Sequence, residues 1–208
     1  MNNSHHSHPF WGNRSPLSSL AGLALILISS SRLAYALTVS VGLLWLYLLT
    51  GLSLWFARSI LPEKGRSLVI LAISCFIGAL YLWVHLLVNP FLGMECFFPI
   101  LLGPLIYTGS GTAERIQTVD LSEALSSSFF DALVYCGLSI ALSLIREPLG
   151  FLSLSFPGGS RGMIFFFAGK TSLLYLVSLS SGAFLLLGYG VAIYNFLRGR
   201  NNSGEEDE

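Results

Sequence analysis

The chain has 208 residues, of which 53% are hydrophobic and 11% are charged, and its formal net charge is zero. Soluble domains carry about 25% charged residues, so this composition, with a mean hydropathy of +0.71, excludes a soluble protein. It predicts an integral membrane protein, and the length predicts a single domain. The balanced charge gives no indication of nucleic-acid binding.

Residues 1–16 form a polar tail that lacks the basic start and short apolar core of a signal peptide. Its histidines could bind a metal, but a solvated tail is the interpretation that the composition favours. The three cysteines of the chain lie in separate apolar segments without CxxC spacing. They therefore predict neither a disulfide framework nor a zinc site, and each is interpreted as a small buried side chain. These residues are His5, His6 and His8 in the tail, and Cys75, Cys96 and Cys136 in the segments.

The first half of the chain contains one short and two long apolar segments. The short one, 17–31, follows Ser15-Pro16, a good cap and first-turn pair. The long ones, 33–57 and 67–89, are each long enough to cross a bilayer. A basic turn at 58–66 separates them, and Pro90 is expected to close the second.

The second half is predicted to begin with a half-helix. Residues 97–107 are apolar but would span only roughly 16 Å, and the stretch 108–111, TGSG, then stops the helix. An irregular backbone at membrane depth must lie inside protein, and such broken helices often carry ion or substrate sites. Gly109 is expected at a packed junction that needs a positive φ. A proline-kinked span continuing to residue 117 remains the alternative.

Two further membrane segments are predicted, at 129–145 and 171–196. The first has Asp131 in its first turn and ends at 146–150, REPLG. Residues 112–128 are polar enough to lie outside the hydrocarbon, and 151–156 are interpreted as a loop. The chain ends in a charged tail, 198–208.

The length pattern of short, long, long, repeated twice, is typical of two inverted repeats. We therefore predict an all-α membrane protein of six segments, with one domain at 17–197 divided into repeats 17–89 and 96–197. Seven basic residues lie on one predicted side and four on the other. This bias predicts that both termini are cytoplasmic.

Several stretches resemble a known family. Residues 104–110 read PLIYTGS where the family has P-L-I-x-x-N-C, and 145–150 read IREPLG where it has I-R-E-x-L-G. Residues 20–24, LAGLA, are similar to its L-x-G-L-C, and 35–37 and 113–114 also match. In segment order, nearly the whole chain resembles the paired six-helix subunits of the Rnf and sodium-pumping Nqr electron-transport complexes (RnfA, RnfE, NqrD and NqrE).

The resemblance implies a bacterial inner-membrane protein that packs against a homologous subunit of opposite orientation and other complex subunits. In the family, one cysteine on each half-helix helps to hold a shared iron–sulfur cluster at mid-membrane. Here Ala24 and Ser110 occupy those positions (Gly109, if the alignment slips by one residue). Iron–sulfur clusters require thiolate ligands. We therefore expect no cluster held by this chain alone, although the two positions should still meet at the midplane.

The most strongly predicted function is a non-catalytic subunit of an Rnf- or Nqr-like ion-translocating complex. The alternatives are a small-solute or ion transporter, or a structural membrane subunit, on the same scaffold. No constellation of catalytic side chains is present in the sequence. Ionisable residues near the membrane are usually functional, which makes Asp131, Arg146 and Glu147 candidates for an ion path or a subunit interface.

Overall fold

The computed structural model describes residues 20–61, 65–116, 119–159, 162–168, 177 and 179–203. The helices and strands described there are α1 Leu20–Ser29, α2 Leu33–Ala57, α3 Arg66–Val88, α4 Pro90–Gly109, α5 Thr112–Arg115, α6 Leu121–Phe151, β1 Ser153–Pro157, β2 Met163–Ala168 and α7 Ser180–Ser203. The polar tail 1–16 lies outside the described residues.

The helices confirm the predicted membrane class. Within the described ranges, α2, α3, α4 and α6 are long and apolar enough to cross a bilayer, with 25, 23, 20 and 31 residues. Helix α1 has 10 residues, and the apolar part of α7 is also short, at Ser181–Ile193. Four candidate spans are therefore described where six were predicted, and the six-segment inverted repeat remains a prediction.

The two long segments of the first half were predicted well. Helix α2 has the expected bounds, and α3 begins and ends one residue before its predicted bounds. Gly65, with a φ of 82°, reverses the chain just before α3. Both helices consist of uninterrupted apolar sequence between polar turns, so their ends follow from composition alone.

Helix α4 corrects the predicted half-helix. It has 20 residues and contains Pro99 and Pro104 within it. Pro90 does not only end α3: it is the first residue of α4, where its missing N–H costs nothing. The side chain of Asn89 caps the new helix by accepting a hydrogen bond from the Leu92 N–H at 3.3 Å. The stop at the glycines after residue 108 was predicted correctly.

Helix α6 is nearly twice as long as the predicted segment. It begins at Leu121, in the stretch predicted to lie outside the hydrocarbon, and continues through the REPLG sequence to Phe151. Pro148 lies inside its last turn, and Leu152, with a φ of 48°, ends it. Asp131 is therefore in the third turn and not in the first. Its carboxylate is therefore too far from the start of the helix to compensate the helix dipole.

The chain is not purely α-helical. Strands β1 and β2 form an antiparallel hairpin in which Phe156 pairs with Ile164 and Pro157 with Met163. This hairpin replaces the loop predicted at 151–156. The last helix also differs: α7 begins at Ser180 and continues to Ser203, beyond the predicted end at residue 196. Residues 169–176, where that segment was expected to begin, lie outside the described part.

The core lies between α2 and α6, which pack along each other, with α1, α3 and α4 around them. Tyr47, Tyr107 and Leu54 are fully buried there. The outer faces of the helices are apolar and exposed, as at Phe76, Trp83 and Phe98. Such faces are expected where a helix contacts lipid or another membrane subunit.

Candidate functional site

Two breaks interrupt the helices inside the bundle. The first break, residues 30–32, separates α1 from α2, and the second break, residues 110–111, separates α4 from α5. The first follows a serine run whose hydroxyls bond to the preceding turn: Ser29 to the Ile26 carbonyl at 3.3 Å and Ser30 to the Leu27 carbonyl at 3.2 Å. Such bonds offer the backbone an alternative to the helix and favour its end.

The first break is closed by two charged residues of α6. Glu147 is fully buried, and its Oε2 accepts a hydrogen bond from the Leu33 N–H, the first of α2, at 2.7 Å. Arg146 is 2% exposed and donates to the Leu27 carbonyl of α1 at 2.9 Å and to Val177 O at 3.0 Å. A carboxylate at a helix start and a cation at a helix end each oppose the helix dipole. The pair therefore joins two helix ends within one subunit.

The hairpin covers the same break. The Ser155 hydroxyl, on β1, accepts from the Ala34 N–H at 3.3 Å, so the second N–H of α2 is also satisfied. The guanidinium of Arg32 lies over the rings of Phe151 and Phe165, at 5.0 and 5.3 Å from their centroids. The Ser155 hydroxyl thus supplies one of the partners that backbone groups need inside a membrane protein, and the ring contacts hold the Arg32 side chain against the hairpin.

The second break holds a short hydrogen-bonded chain. Ser110 donates to the Tyr107 carbonyl at 2.9 Å and its hydroxyl lies 2.7 Å from that of Thr112. Thr112, in turn, donates to Asp131 Oδ2 at 2.6 Å. Gly111 has a φ of 72°, which lets the chain turn at this point. A carboxylate, two hydroxyls and a helix end are thus brought together.

Three tyrosines surround the hydrogen-bonded side chains of the second break. The rings of Tyr47 and Tyr107 meet edge to face at 4.9 Å, and Tyr135 lies 6.4 Å from Tyr47. The hydroxyl of Tyr47 lies beside Ser110, and that of Tyr107 beside Ser128. Neither phenol has a hydrogen bond of good geometry within the described residues. The second break is therefore a cluster of polar side chains inside the helix bundle.

The positions of the family's cluster ligands do not fit iron in this chain. Ala24, on α1, carries a methyl group, and the Ser110 hydroxyl is already hydrogen-bonded at the second break. The cysteines lie elsewhere: Cys75 is exposed, Cys96 is buried in α4, and Cys136 donates to the Ser40 carbonyl at 3.4 Å. In the described part of the chain, no group of three His, Cys, Asp or Glu residues could hold a metal ion. The meeting of Ala24 and Ser110 at the membrane midplane remains a prediction.

Gly109 does not play the predicted role. It is exposed, a Cβ built there would meet nothing within 4 Å, and its φ is not positive. The left-handed position is two residues later, at Gly111. The glycine run was thus correctly identified as a break, but the wrong glycine was assigned to it.

The chain is similar in sequence to subunits of ion-translocating oxidoreductase complexes. No protein-family model matches it. It is 24% identical over 200 residues to the E-type subunit of the ion-translocating oxidoreductase complex of Buchnera aphidicola subsp. Acyrthosiphon pisum (strain APS), covering 90% of this chain and 86% of the relative. The corresponding protein of Buchnera aphidicola subsp. Schizaphis graminum is also 24% identical, with coverages of 90% and 87%. The chain is a divergent homologue of these subunits. The resemblance to the Rnf and Nqr family is thereby confirmed.

The structure of this homologue separates its predicted site residues. Asp131 belongs to the second break, whereas Arg146 and Glu147 belong to the first, and all three lie on α6. Their assignment to an ion path or an interface remains a prediction. Thr112, Tyr47 and Tyr107 were missed, because their sequence neighbours give no polar pattern. One signal was present: Asp131, Tyr135, Ser139, Ser143 and Glu147 follow one another at four-residue spacing.

Proposed function

We propose that this chain is a membrane subunit of an ion-translocating oxidoreductase complex of the Rnf or Nqr type. The observation that carries the proposal is an alignment to the E-type subunits over 90% of the chain and 86% of the relative. A match of this extent covers most of the chain and is not limited to one apolar helix. Redox partners in the same complex are part of the proposal, because the relatives are named as subunits of an oxidoreductase complex.

The buried pair Arg146 and Glu147 at the first break supports this assignment. The residues of the I-R-E-x-L-G stretch carried the resemblance, and two of them, Arg146 and Glu147, hold the ends of α1 and α2 together. A motif with this structural task is expected to persist in a relative whose other residues have diverged. It therefore links the sequence similarity to a shared scaffold.

The proposed architecture is six membrane segments in two inverted repeats. In support, α1 and α4 each end in a break, α1 is followed by the long α2, α4 is followed through the short α5 by the long α6, and α1 packs against α4. The proposed location is the bacterial inner membrane with both termini in the cytoplasm, on the strength of the basic bias. A homologous subunit of opposite orientation is the proposed neighbour.

The proposed role does not include an iron–sulfur cluster held by this chain alone. Ala24 and Ser110 supply no thiolate, so electron transfer falls to the partners. A second candidate, an ion or small-solute carrier without redox chemistry, is favoured by one observation: at the second break the half-buried carboxylate of Asp131 lies with the hydroxyls of Thr112 and Ser110. Oxygen ligands of this kind suit hard cations.

The decisive experiment is purification of the tagged chain from its native membrane in a mild detergent, followed by mass spectrometry. Flavin-binding and ferredoxin-like subunits in stoichiometric amounts are the expected result. An unrelated multi-pass protein with the same tag is the control for detergent carry-over. Recovery of the chain without redox subunits, under conditions that keep it folded, would favour the carrier.

A further inference from the structure

A row of polar side chains runs along the packed interface of α2 and α6. On α6 it consists of Ser128, Asp131, Tyr135, Ser139, Ser143 and Glu147, and on α2 of Thr38, Ser40, Tyr47 and Thr50. Except for Asp131, which is half-buried, these residues are buried. Side chains three or four residues apart are neighbours on a helix, so the α6 set is continuous. We call this row the polar seam.

Contacts between the helices bring α2 and α1 beside the α6 set. Tyr47 faces Tyr135 with ring centroids 6.4 Å apart, and Cys136 donates to the Ser40 carbonyl at 3.4 Å. Ser139 lies 2.6 Å from Ser29, at the end of α1. From Asp131 to Glu147 the seam extends for about 24 Å, most of the roughly 30 Å hydrocarbon thickness. It connects the second break to the first.

The seam is incompletely hydrogen-bonded by protein groups. Eleven buried polar side-chain atoms have no hydrogen bond of good geometry within the described residues, and seven of them belong to the seam. They are Thr38 Oγ1, Ser40 Oγ, Tyr47 OH, Thr50 Oγ1, Ser128 Oγ, Ser143 Oγ and Glu147 Oε1. Two of the seven, Tyr47 OH and Ser128 Oγ, lie beside the hydroxyls of Ser110 and Tyr107, respectively. Buried polar groups in folded proteins are almost always paired, either with protein or with ordered water. Their concentration in one row points to water molecules in that row.

We infer that the polar seam binds a file of water molecules that passes protons between Asp131 and Glu147. Along such a file, each step breaks one O–H bond and forms another on the next oxygen, so one positive charge moves and nothing is oxidised or reduced. The transport part of this inference rests on the proposed ion-translocating function, whereas the hydration part does not.

Hydration can be tested with two native cysteines that are both buried. Cys136 is on the α2–α6 interface beside Ser40, whereas Cys96 lies in α4 away from the seam and is the matched dry control. The full chain carrying Cys75→Ser is treated in nanodiscs with Ag⁺, which reaches thiols through water, and blocked thiols are counted by mass spectrometry. We expect Cys136 to be blocked and Cys96 to remain free. Equal protection of both thiols would overturn the hydrated seam.

Proton movement is tested in liposomes that contain the full chain and an entrapped pH dye, with a potassium gradient and valinomycin as the driving force. We expect faster pH change than in empty liposomes, and loss of the difference in Ser143→Val, which fills the water space. Ser74→Val is the control, because Ser74 is a fully buried serine of α3 that bonds to Leu71 O outside the seam.

Two further outcomes complete the test. If Ser143→Val fails to fold, Ser143→Ala, which removes only the hydroxyl, takes its place and is expected to slow the pH change. Wild-type liposomes that behave like empty ones would overturn the proton path. Neither result bears on the proposed complex, which depends on co-purification with redox subunits. Conversely, if the chain is purified without redox subunits, the proposed complex fails, but blocking of Cys136 by Ag⁺ would still support the hydrated seam.

Discussion

The carboxylate of Glu147 accepts a hydrogen bond from the backbone N–H of Leu33, 2.7 Å away and 114 residues earlier in the chain. This contact attaches the late part of α6 to the first residue of α2. With the Arg146 guanidinium on the Leu27 carbonyl, it places opposite charges on two helix ends of opposite dipole. The helix break between them is therefore a stable feature of the bundle interior.

Removing the Glu147 carboxylate is expected to destabilise the fold. In Glu147→Ala, the Leu33 N–H loses its partner in a buried place, at a cost of about 1–3 kcal/mol. Glu147→Gln keeps a carbonyl acceptor and is expected to lose less. Thermal unfolding in detergent measures both. The control is Glu123→Ala in the first turn of α6, where the side chain is exposed. An equal loss of stability in both alanine variants would contradict the role of Glu147 at the start of α2.

The packing of α2 against α3 depends on a close approach at Gly42. A Cβ at this position would lie 2.7 Å from Tyr81 Cε1, and Tyr81 is held by its hydrogen bond to the Thr38 carbonyl. Gly42→Ala is expected to cost about 1–3 kcal/mol through overpacking. Gly137→Ala is the matched control, since a Cβ there meets nothing within 4 Å. If Gly42→Ala is as stable as Gly137→Ala, the close approach of α2 and α3 at Gly42 is not needed for stability.

The second break is expected to depend on Gly111 and not on Gly109. Gly111 has a φ of 72°, which costs a residue with a side chain about 1–2 kcal/mol. Gly111→Ala should therefore lower the unfolding temperature, while Gly109→Ala, in open space, should leave it unchanged. The same loss in both variants, measured side by side, would mean that the turn lies elsewhere.

The purified chain is expected to contain no stoichiometric iron or acid-labile sulfide, even when it is prepared without oxygen. The reason is the chemistry of Ala24 and Ser110, which offer no thiolate to iron. Elemental analysis and visible absorbance measure this. A cluster whose absorbance disappears in Cys96→Ser or Cys136→Ser would show that other ligands have taken over.

Both ends of the chain are expected on the cytoplasmic side. The basis is the excess of basic residues on one side of the predicted segments. Fusions of a periplasm-active and a cytoplasm-active reporter to each terminus measure this directly. Signals on opposite sides would mean an odd number of crossings and would exclude the six-segment arrangement.

The sequence alone was sufficient for the membrane class, for the bounds of α2 and nearly those of α3, and for the family resemblance. Each of these depends on local composition, because an uninterrupted apolar run of this length between polar turns forms a helix that can cross a bilayer. The glycine stop after residue 108 could likewise be predicted, because two glycines and a serine leave few local alternatives.

Only the tertiary structure decided where α4 begins and where α6 ends. In sequence, Pro90 and the REPLG stretch both indicate helix ends. In the structure, Asn89 caps a new helix at Pro90, and the ends of α1 and α2 provide partners for Arg146 and Glu147 inside the bundle. Likewise, Asp131 joins the second break only because α6 packs beside Thr112. Charged and polar residues acquire their roles from distant partners, and those partners come together only when the helices pack.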